Sequence, residues 1–209
     1  MAARQRKKSN LEAARQKMYR ELIFECAERV FALQGFEAST MQEVAAEAGI
    51  SLKTLYQTFP GKSELYQGIQ RVRGQELLDA VRNALSQGGP VLERLMAAVR
   101  AYVAFLLSYE NFLHIHVREG RAWGLGPGSE VGIAAWLDGL KLFADLIRKG
   151  TEEGLFYEGD AELMAMTGIA VMQVQVAGLI ARHPAPRTEQ DTEEISREIE
   201  RQLVRLLSS

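Results

Sequence analysis

The chain has 209 residues, of which 47% are hydrophobic and 25% are charged. This length allows one large domain or two small ones, and this composition excludes wholesale disorder. The net charge of -2 argues against a generally basic nucleic-acid-binding protein, but the charge is unevenly distributed. Residues 1–20 contain seven Lys or Arg and one acid, Glu12, so they carry a net +6 and the remainder carries -8. This asymmetry predicts a basic flexible arm at residues 1–14, for which a solubilising tail is the alternative.

The single cysteine and the polar N-terminus indicate the redox role and the cellular location that we expect. Cys26 cannot form an intramolecular disulfide, and its apolar neighbours favour a role in core packing over redox sensing. The N-terminal residues lack the apolar stretch of a secretory signal, so we expect a cytoplasmic protein.

The first predicted helix runs from Arg15 to Gln34 and ends at Gly35. Its apolar positions recur at helical spacing and predict one buried face. These positions are Leu22, Ile23, Cys26, Ala27, Val30 and Phe31.

The stretch from Thr40 to Leu65 predicts two short helices and the start of a third. Thr40 and Glu43 fit a capping box, and Gly49 suits the left-handed residue that ends a helix. Ser51 can cap the second short helix, which the Pro60-Gly61 pair then ends. Two short helices joined across a glycine turn indicate a helix-turn-helix, whose second helix enters the DNA major groove.

This motif gives a set of candidate DNA-binding residues. Bases are predicted to be contacted by Leu52, Lys53, Thr54 and Gln57, and phosphates by Thr40, Tyr56 and Lys62. Gln42 suits either role, and Ser51 lies on the same surface.

The same stretch resembles the N-terminal fingerprint of TetR-family transcriptional regulators. The residues that carry the resemblance are Thr40, Val44, Ala45, Ala48, Gly49, Ser51, Thr54, Leu55, Tyr56, Phe59, Lys62 and Leu65. Lys53 stands where many members have glycine, Thr58 where an aromatic residue or His is common, and Gly61 where Ser or Asn is frequent. The first two departures change a DNA-facing surface, and Gly61 is a slightly weaker cap. The resemblance implies an N-terminal DNA-binding domain and a C-terminal helical domain that encloses an effector and dimerises.

The rest of the chain predicts further helices, giving an all-α fold with about nine. A long helix from Gly61 to about Ser86 follows the helix-turn-helix, and Gln87 to Pro90 break the chain. Helices are then predicted over 91–108, 110–123, 129–153, 161–182 and 189–207. We therefore place the DNA-binding domain at 15–61 and a ligand-binding and dimerisation domain at 62–209, with the first helix of the latter shared between them.

The helix predicted over 161–182 is apolar on almost every face, although Glu162, Gln173 and Gln175 argue against a membrane span. Such a helix must be buried on every face, so we expect the last two helices to pair with those of a second copy. The predicted dimer-interface residues are Met172, Val176, Ile180, Ile199, Leu203 and Leu206.

The candidate effector site rests on aromatic residues and methionines of the C-terminal domain, for each of which ordinary core packing is the alternative. They are Phe105, Tyr109, Phe112, His116, Trp123, Trp136, Phe143, Met166 and Met172. His114 and His116 point about 200° apart on a helix and cannot share a metal ion without other ligands. We find no Ser-His-Asp arrangement, phosphate-binding loop or Cys/His cluster, so no enzymatic activity, metal or cofactor is predicted.

These patterns predict a DNA-binding regulator that responds to a largely apolar small molecule, with a repressor released from a palindromic operator as the favoured form. One alternative is an activator, or a regulator of the same fold that is controlled by a protein partner. Another is a helical binding module or enzyme that does not recognise DNA.

Overall fold

The structure is a computed structural model. It describes the backbone of residues 2–118, 130–182 and 188–207, and the side chains of residues 14–118, 136–182, 188 and 190–207. These residues form nine α-helices and no strands, which confirms the all-α prediction. The helices are α1 Ala2–Gln34, α2 Met41–Glu47, α3 Leu52–Thr58, α4 Lys62–Leu85, α5 Val91–Ser108, α6 Glu110–Arg118, α7 Glu130–Glu152, α8 Ala161–Arg182 and α9 Glu189–Leu207. The chain divides into a unit of residues 1–69 and a unit of residues 70–209, so the division lies within α4.

Helix α1 begins at Ala2, where the sequence predicts a start at Arg15. Residues 2–14 contain neither Gly nor Pro and are rich in Ala, Arg, Gln and Lys, which favour helix. The segment predicted as a flexible arm therefore has helical backbone that is continuous with α1.

The unit of residues 1–69 is built on the predicted apolar face of α1. Ile23, Ala27 and Phe31 are fully buried. They belong to the same core as Val44 of α2 and Leu55 of α3, which are also fully buried. Gly35 and Gly49 have φ of 87° and 64°, a region that glycine enters without a Cβ clash, and each follows a helix end.

The unit of residues 70–209 is centred on α5 and α8. Each of these two helices contacts α6, α7 and α9 as well as the other. The C-terminus of α9 is joined to the turn before α8, because the backbone N–H of Tyr157 donates to the carbonyl of Leu207 at 3.2 Å. By length and composition α8 would qualify as a membrane span, yet half of its most apolar stretch is buried inside the chain, as in a core helix.

Most of the predicted dimer-interface residues on α8 and α9 are buried within the single chain, which corrects that prediction. Met172, Val176, Ile180, Ile199 and Leu203 are all at most 5% exposed in the single chain, so they belong to the core of the subunit. Leu206 alone of the predicted set is accessible, at 40%. The exposed large apolar residues of α8 are instead Leu163 and Val174, because α5, α6, α7 and α9 cover its other faces.

Candidate DNA-binding surface and effector region

Helix α2 begins at the predicted capping box. The Thr40 hydroxyl accepts from the backbone N–H of Glu43 at 3.2 Å, and the Glu43 carboxylate accepts from the backbone N–H of Thr40 at 2.8 Å. Hydrogen bonds from Gln34 and Thr40 lower the pKa of the Glu43 carboxyl. The Thr40 side chain therefore fixes the start of α2, and Gln42 is exposed in its first turn.

Helix α3, the candidate recognition helix, is anchored at its start and on one side. Ser51 caps it by accepting from the backbone N–H of Thr54 at 3.0 Å. Leu55 is fully buried, which fixes the orientation of the helix. Lys53, Tyr56 and Gln57 are exposed, and their i, i+3, i+4 spacing places them on one face. Leu52 and Thr54 are half-buried beside them.

Lys62 is predicted to contact a DNA phosphate, but in the structure its ammonium is engaged within the protein. Its ammonium donates to the backbone carbonyls of Phe36, Glu37 and Ser39 at 2.7, 3.0 and 2.9 Å. It also lies 4.5 Å from the centroid of the Phe36 ring. An ammonium has three N–H donors, so these carbonyls use all of them. Lys62 thus holds the turn between α1 and α2 in place, and sequence spacing alone carries no signal for this role.

One chain of aromatic rings and one apolar cavity contain most of the predicted effector-contacting residues. Phe105, Tyr109, Phe112 and His116 form a chain of rings at the junction of α5 and α6, with centroid distances of 4.7 Å for Phe105–Tyr109 and 4.2 Å for Phe112–His116. Nδ1 of His116 lies 2.8 Å from the carbonyl of Phe112, so this nitrogen is the donor. Phe143 and Met172 instead line a small apolar cavity between α5, α7, α8 and α9.

The other predicted effector-site residues that the structure describes belong to neither the chain of rings nor the cavity. Trp136 and Met166 are half-buried. Trp123 lies outside the described residues, as does the end of the helix predicted over 110–123. No group of three or more His, Cys, Asp or Glu suited to a metal ion occurs within the described part of the chain.

Sequence reasoning missed two groups of buried polar residues in the unit of residues 70–209. Arg73 of α4 is completely buried, with its guanidinium 4.2 Å from the centroid of the Tyr109 ring and 3.0 Å from the Glu76 carboxylate. Gln173 of α8 donates to the Tyr102 hydroxyl of α5 at 2.7 Å. The available signal for the second group was a glutamine in the middle of an otherwise apolar helix.

The comparisons with known proteins agree with this architecture. Residues 23–69 match the family of bacterial regulatory proteins called the tetR family. The chain is 39% identical over 80 residues to the transcriptional activator FasR of Mycolicibacterium smegmatis, a match that spans 38% of this chain and 36% of that protein. It is 26% identical over 140 residues to the transcriptional repressor KstR2 of Mycobacterium tuberculosis, which spans 64% and 67% of the two chains.

Solved structures extend the likeness in fold to almost the whole chain. The ketosteroid transcriptional regulator KstR2 of Mycobacterium tuberculosis superposes with a TM-score of 0.75 at 22% identity, covering 91% of this chain and 95% of that one. The TetR-family regulator PfmR of Thermus thermophilus gives a TM-score of 0.69 at 24% identity, covering 88% and 97%. Residues 23–69 therefore match a tetR-family helix-turn-helix domain, and almost the whole chain shares the fold of these solved TetR-type regulators.

Proposed function

We propose that this protein is a homodimeric cytoplasmic repressor that leaves a near-palindromic operator when a largely apolar small molecule binds. The observation that carries DNA recognition is the surface of α3. Lys53, Tyr56 and Gln57 point outward together, while Leu55 on the opposite side is fully buried. A side chain that donates and accepts hydrogen bonds from such a face can read base edges in the major groove.

A dimer of two such units is supported by the exposed stripe of α8. Leu163, Thr167, Val171, Val174 and Gly178 recur at i, i+4, i+8, i+11 and i+15, which places them along one side of the helix. Leu163 and Val174 are among the exposed large apolar residues of the chain, and Leu206 of α9 is another. Isologous pairing of these stripes would bury them and generate two-fold symmetry.

An apolar effector is supported by the composition of the unit that would enclose it. The cavity between α5, α7, α8 and α9 is bounded by aliphatic side chains, methionines and Phe143. Relatives named for ketosteroid regulation and for fatty acid degradation share the fold, and both names refer to largely apolar molecules. Effector binding would lower operator affinity only by favouring a conformation that binds DNA less well.

The activator alternative is supported by one relative, because FasR, which is 39% identical over 80 residues, is named a transcriptional activator. The sign of regulation depends on where the operator lies relative to the promoter, so both forms use the same DNA-binding surface.

Selection of bound duplexes from a random DNA pool tests the proposal. We expect a near-palindromic consensus whose half-sites are about one DNA turn, roughly 34 Å, apart or a multiple of it. An effector screen by loss of binding to the selected duplex follows. Enrichment of no sequence would overturn DNA recognition, and an asymmetric consensus would overturn the dimer. A reporter with the operator placed upstream of the promoter or across it separates activation from repression.

A further inference from the structure

A buried pair of polar side chains lies among the apolar side chains of the unit of residues 70–209. Tyr102 of α5 and Gln173 of α8 are each more than nine-tenths buried. The amide Nε2 of Gln173 donates to the Tyr102 hydroxyl at 2.7 Å, and the ring of Phe143 from α7 packs edge-on against the Tyr102 ring at a centroid distance of 6.2 Å. Three helices thus enclose one hydrogen bond.

The hydrogen-bonding capacity of this pair is incompletely used. Oε1 of Gln173 is buried and has no donor. With the Tyr102 oxygen accepting from Gln173, the hydroxyl proton needs an acceptor of its own. Reversing the amide would let the tyrosine donate to Oε1 but would leave the buried NH₂ group without an acceptor. In either orientation, a group that both donates and accepts completes the pair.

A small apolar cavity lies near the pair, and Phe143, whose ring packs against Tyr102, is one of the residues that line it. The cavity between α5, α7, α8 and α9 has a volume of about 20 Å³, roughly the room that one water needs. Val99 and Ile169 line it and precede Tyr102 and Gln173 by one helical turn, so the pair lies one turn along the same two helices from the cavity. Met96, Met164 and Met172 also line it, and methionine side chains adapt readily to a change of packing.

The surroundings favour an uncharged group. Burial raises the pKa of the Tyr102 hydroxyl, whereas the hydrogen bond from Gln173 acts in the opposite direction. These are the causes of the shift, and neither is a charged side chain. A carboxylate or an ammonium placed beside the pair would lose its hydration, and neither Tyr102 nor Gln173 carries a charge that would offset this loss.

We infer that Tyr102 and Gln173 form the polar end of the effector site and select an uncharged, largely apolar molecule that carries a hydroxyl group. The inference rests on the proposed function, because it names the chemistry of the effector. The hydroxyl would donate to Gln173 Oε1 and accept from Tyr102, while the apolar remainder would occupy the enlarged cavity among the methionines.

The test is calorimetric binding of three matched probes to the full-length protein without DNA. The probes are octan-1-ol, its isomer heptyl methyl ether, which accepts but cannot donate, and octanoate, which is charged. We expect the alcohol to bind about 3- to 10-fold more tightly than the ether, the range that one hydrogen bond supplies, and more tightly than octanoate. An ether or octanoate that binds as well as the alcohol, or an alcohol that does not bind, would overturn the inference.

Variants test whether Tyr102 and Gln173 cause the preference for the alcohol over the ether. The double variant Tyr102→Phe, Gln173→Leu removes both partners together, so no single buried polar group is left behind. We expect it to bind the alcohol and the ether equally, while Tyr157→Phe, the same change at an exposed tyrosine, keeps the preference. A preference that survives in the double variant would contradict the assignment. If that variant does not fold, Tyr102→Phe alone is compared with the wild type by the same criterion.

The results distinguish failure of the hydroxyl site from failure of the proposed function. A protein that prefers the alcohol but selects no operator would contradict the proposed function and leave the hydroxyl site intact. A protein that is released from its operator by another ligand, and shows no preference for the alcohol, would do the reverse.

Discussion

Two lysines of the helix-turn-helix carry the same charge in different environments. Lys62 donates to three backbone carbonyls in the turn between α1 and α2. Lys53 is exposed on α3, beside Tyr56 and Gln57. An ammonium that is engaged by carbonyls stabilises the fold, whereas an exposed one is available to DNA. The two residues therefore make a matched pair for separating stability from recognition.

We expect Lys62→Ala to destabilise the unit of residues 1–69. A hydrogen bond to a charged group contributes about 1.5–3 kcal/mol, and removing the ammonium leaves three carbonyls without their donor. The free energy of unfolding, measured by denaturant titration, should fall by at least about 2 kcal/mol. Under conditions in which the variant stays folded, its DNA affinity should be close to that of the wild type. A variant with unchanged stability and weakened DNA binding would return Lys62 to the predicted phosphate contact.

Lys53→Ala should have the opposite profile. Its midpoint of unfolding should match the wild type, because a substitution of an exposed residue away from the core has little effect on stability. Affinity for the selected operator should fall by about 1–3 kcal/mol, with relaxed preference at one position per half-site. The measurement compares operator and scrambled duplexes at one salt concentration. Equal losses on both duplexes would assign Lys53 to phosphate.

At the scale of elements, helices with local start and stop signals were predicted well. The capping box of Thr40 and Glu43, Gly49 and Ser51 placed α2 and α3. The start of α1 differs from the prediction because residues 2–14 combine a basic charge, which suggests an arm, with residue types that favour helix. The role of Lys62 was missed because its partners lie 23 to 26 residues earlier in the chain, beyond any local pattern.

Helix α8 shows most clearly what sequence cannot resolve. Its apolar residues surround the helix, so the pattern indicates burial without indicating which side faces the subunit core. Packing against α5, α6, α7 and α9 makes that choice, and it buries Met172 and exposes Val174, two positions later. The sequence thus selects α8 for the dimer proposal, and the structure moves the proposed contact face from Met172 to Val174.

Substitutions on the two faces of α8 should have distinct effects. Val174→Glu places a charge on the exposed stripe, so it should weaken the dimer at least about tenfold and leave the subunit folded. Met172→Glu places an unpaired charge in the core, so it should lower the free energy of unfolding of the unit of residues 70–209 by more than about 4 kcal/mol. We expect this loss to unfold the unit. Sedimentation velocity with circular dichroism distinguishes the two results. A fully dimeric Val174→Glu variant would exclude this stripe from the interface.

At the scale of the whole molecule, the charge distribution sets apart the first 20 residues, with a net +6, from the remainder, with -8. Because residues 2–14 have helical backbone continuous with α1, their charges can be removed without shortening the chain. The change Arg4→Gln, Arg6→Gln, Lys7→Gln, Lys8→Gln retains residues of good helix propensity and lowers the charge of the segment by four. The quadruple variant therefore tests the proposed contact between this segment and the DNA backbone more cleanly than deletion of the segment would.

We expect the quadruple variant to bind operator and scrambled duplexes more weakly by the same factor, since phosphate contacts carry no sequence information directly. The plot of log affinity against log salt concentration should lose up to about 0.9 in slope for each phosphate contact that is removed. The Lys53→Ala variant is the matched control: as a base contact it should alter sequence preference, which the quadruple variant should leave unchanged. An unchanged slope in the quadruple variant would assign the basic segment to solubility. A change confined to the operator would instead indicate that the segment reads sequence, as an arm in the minor groove does.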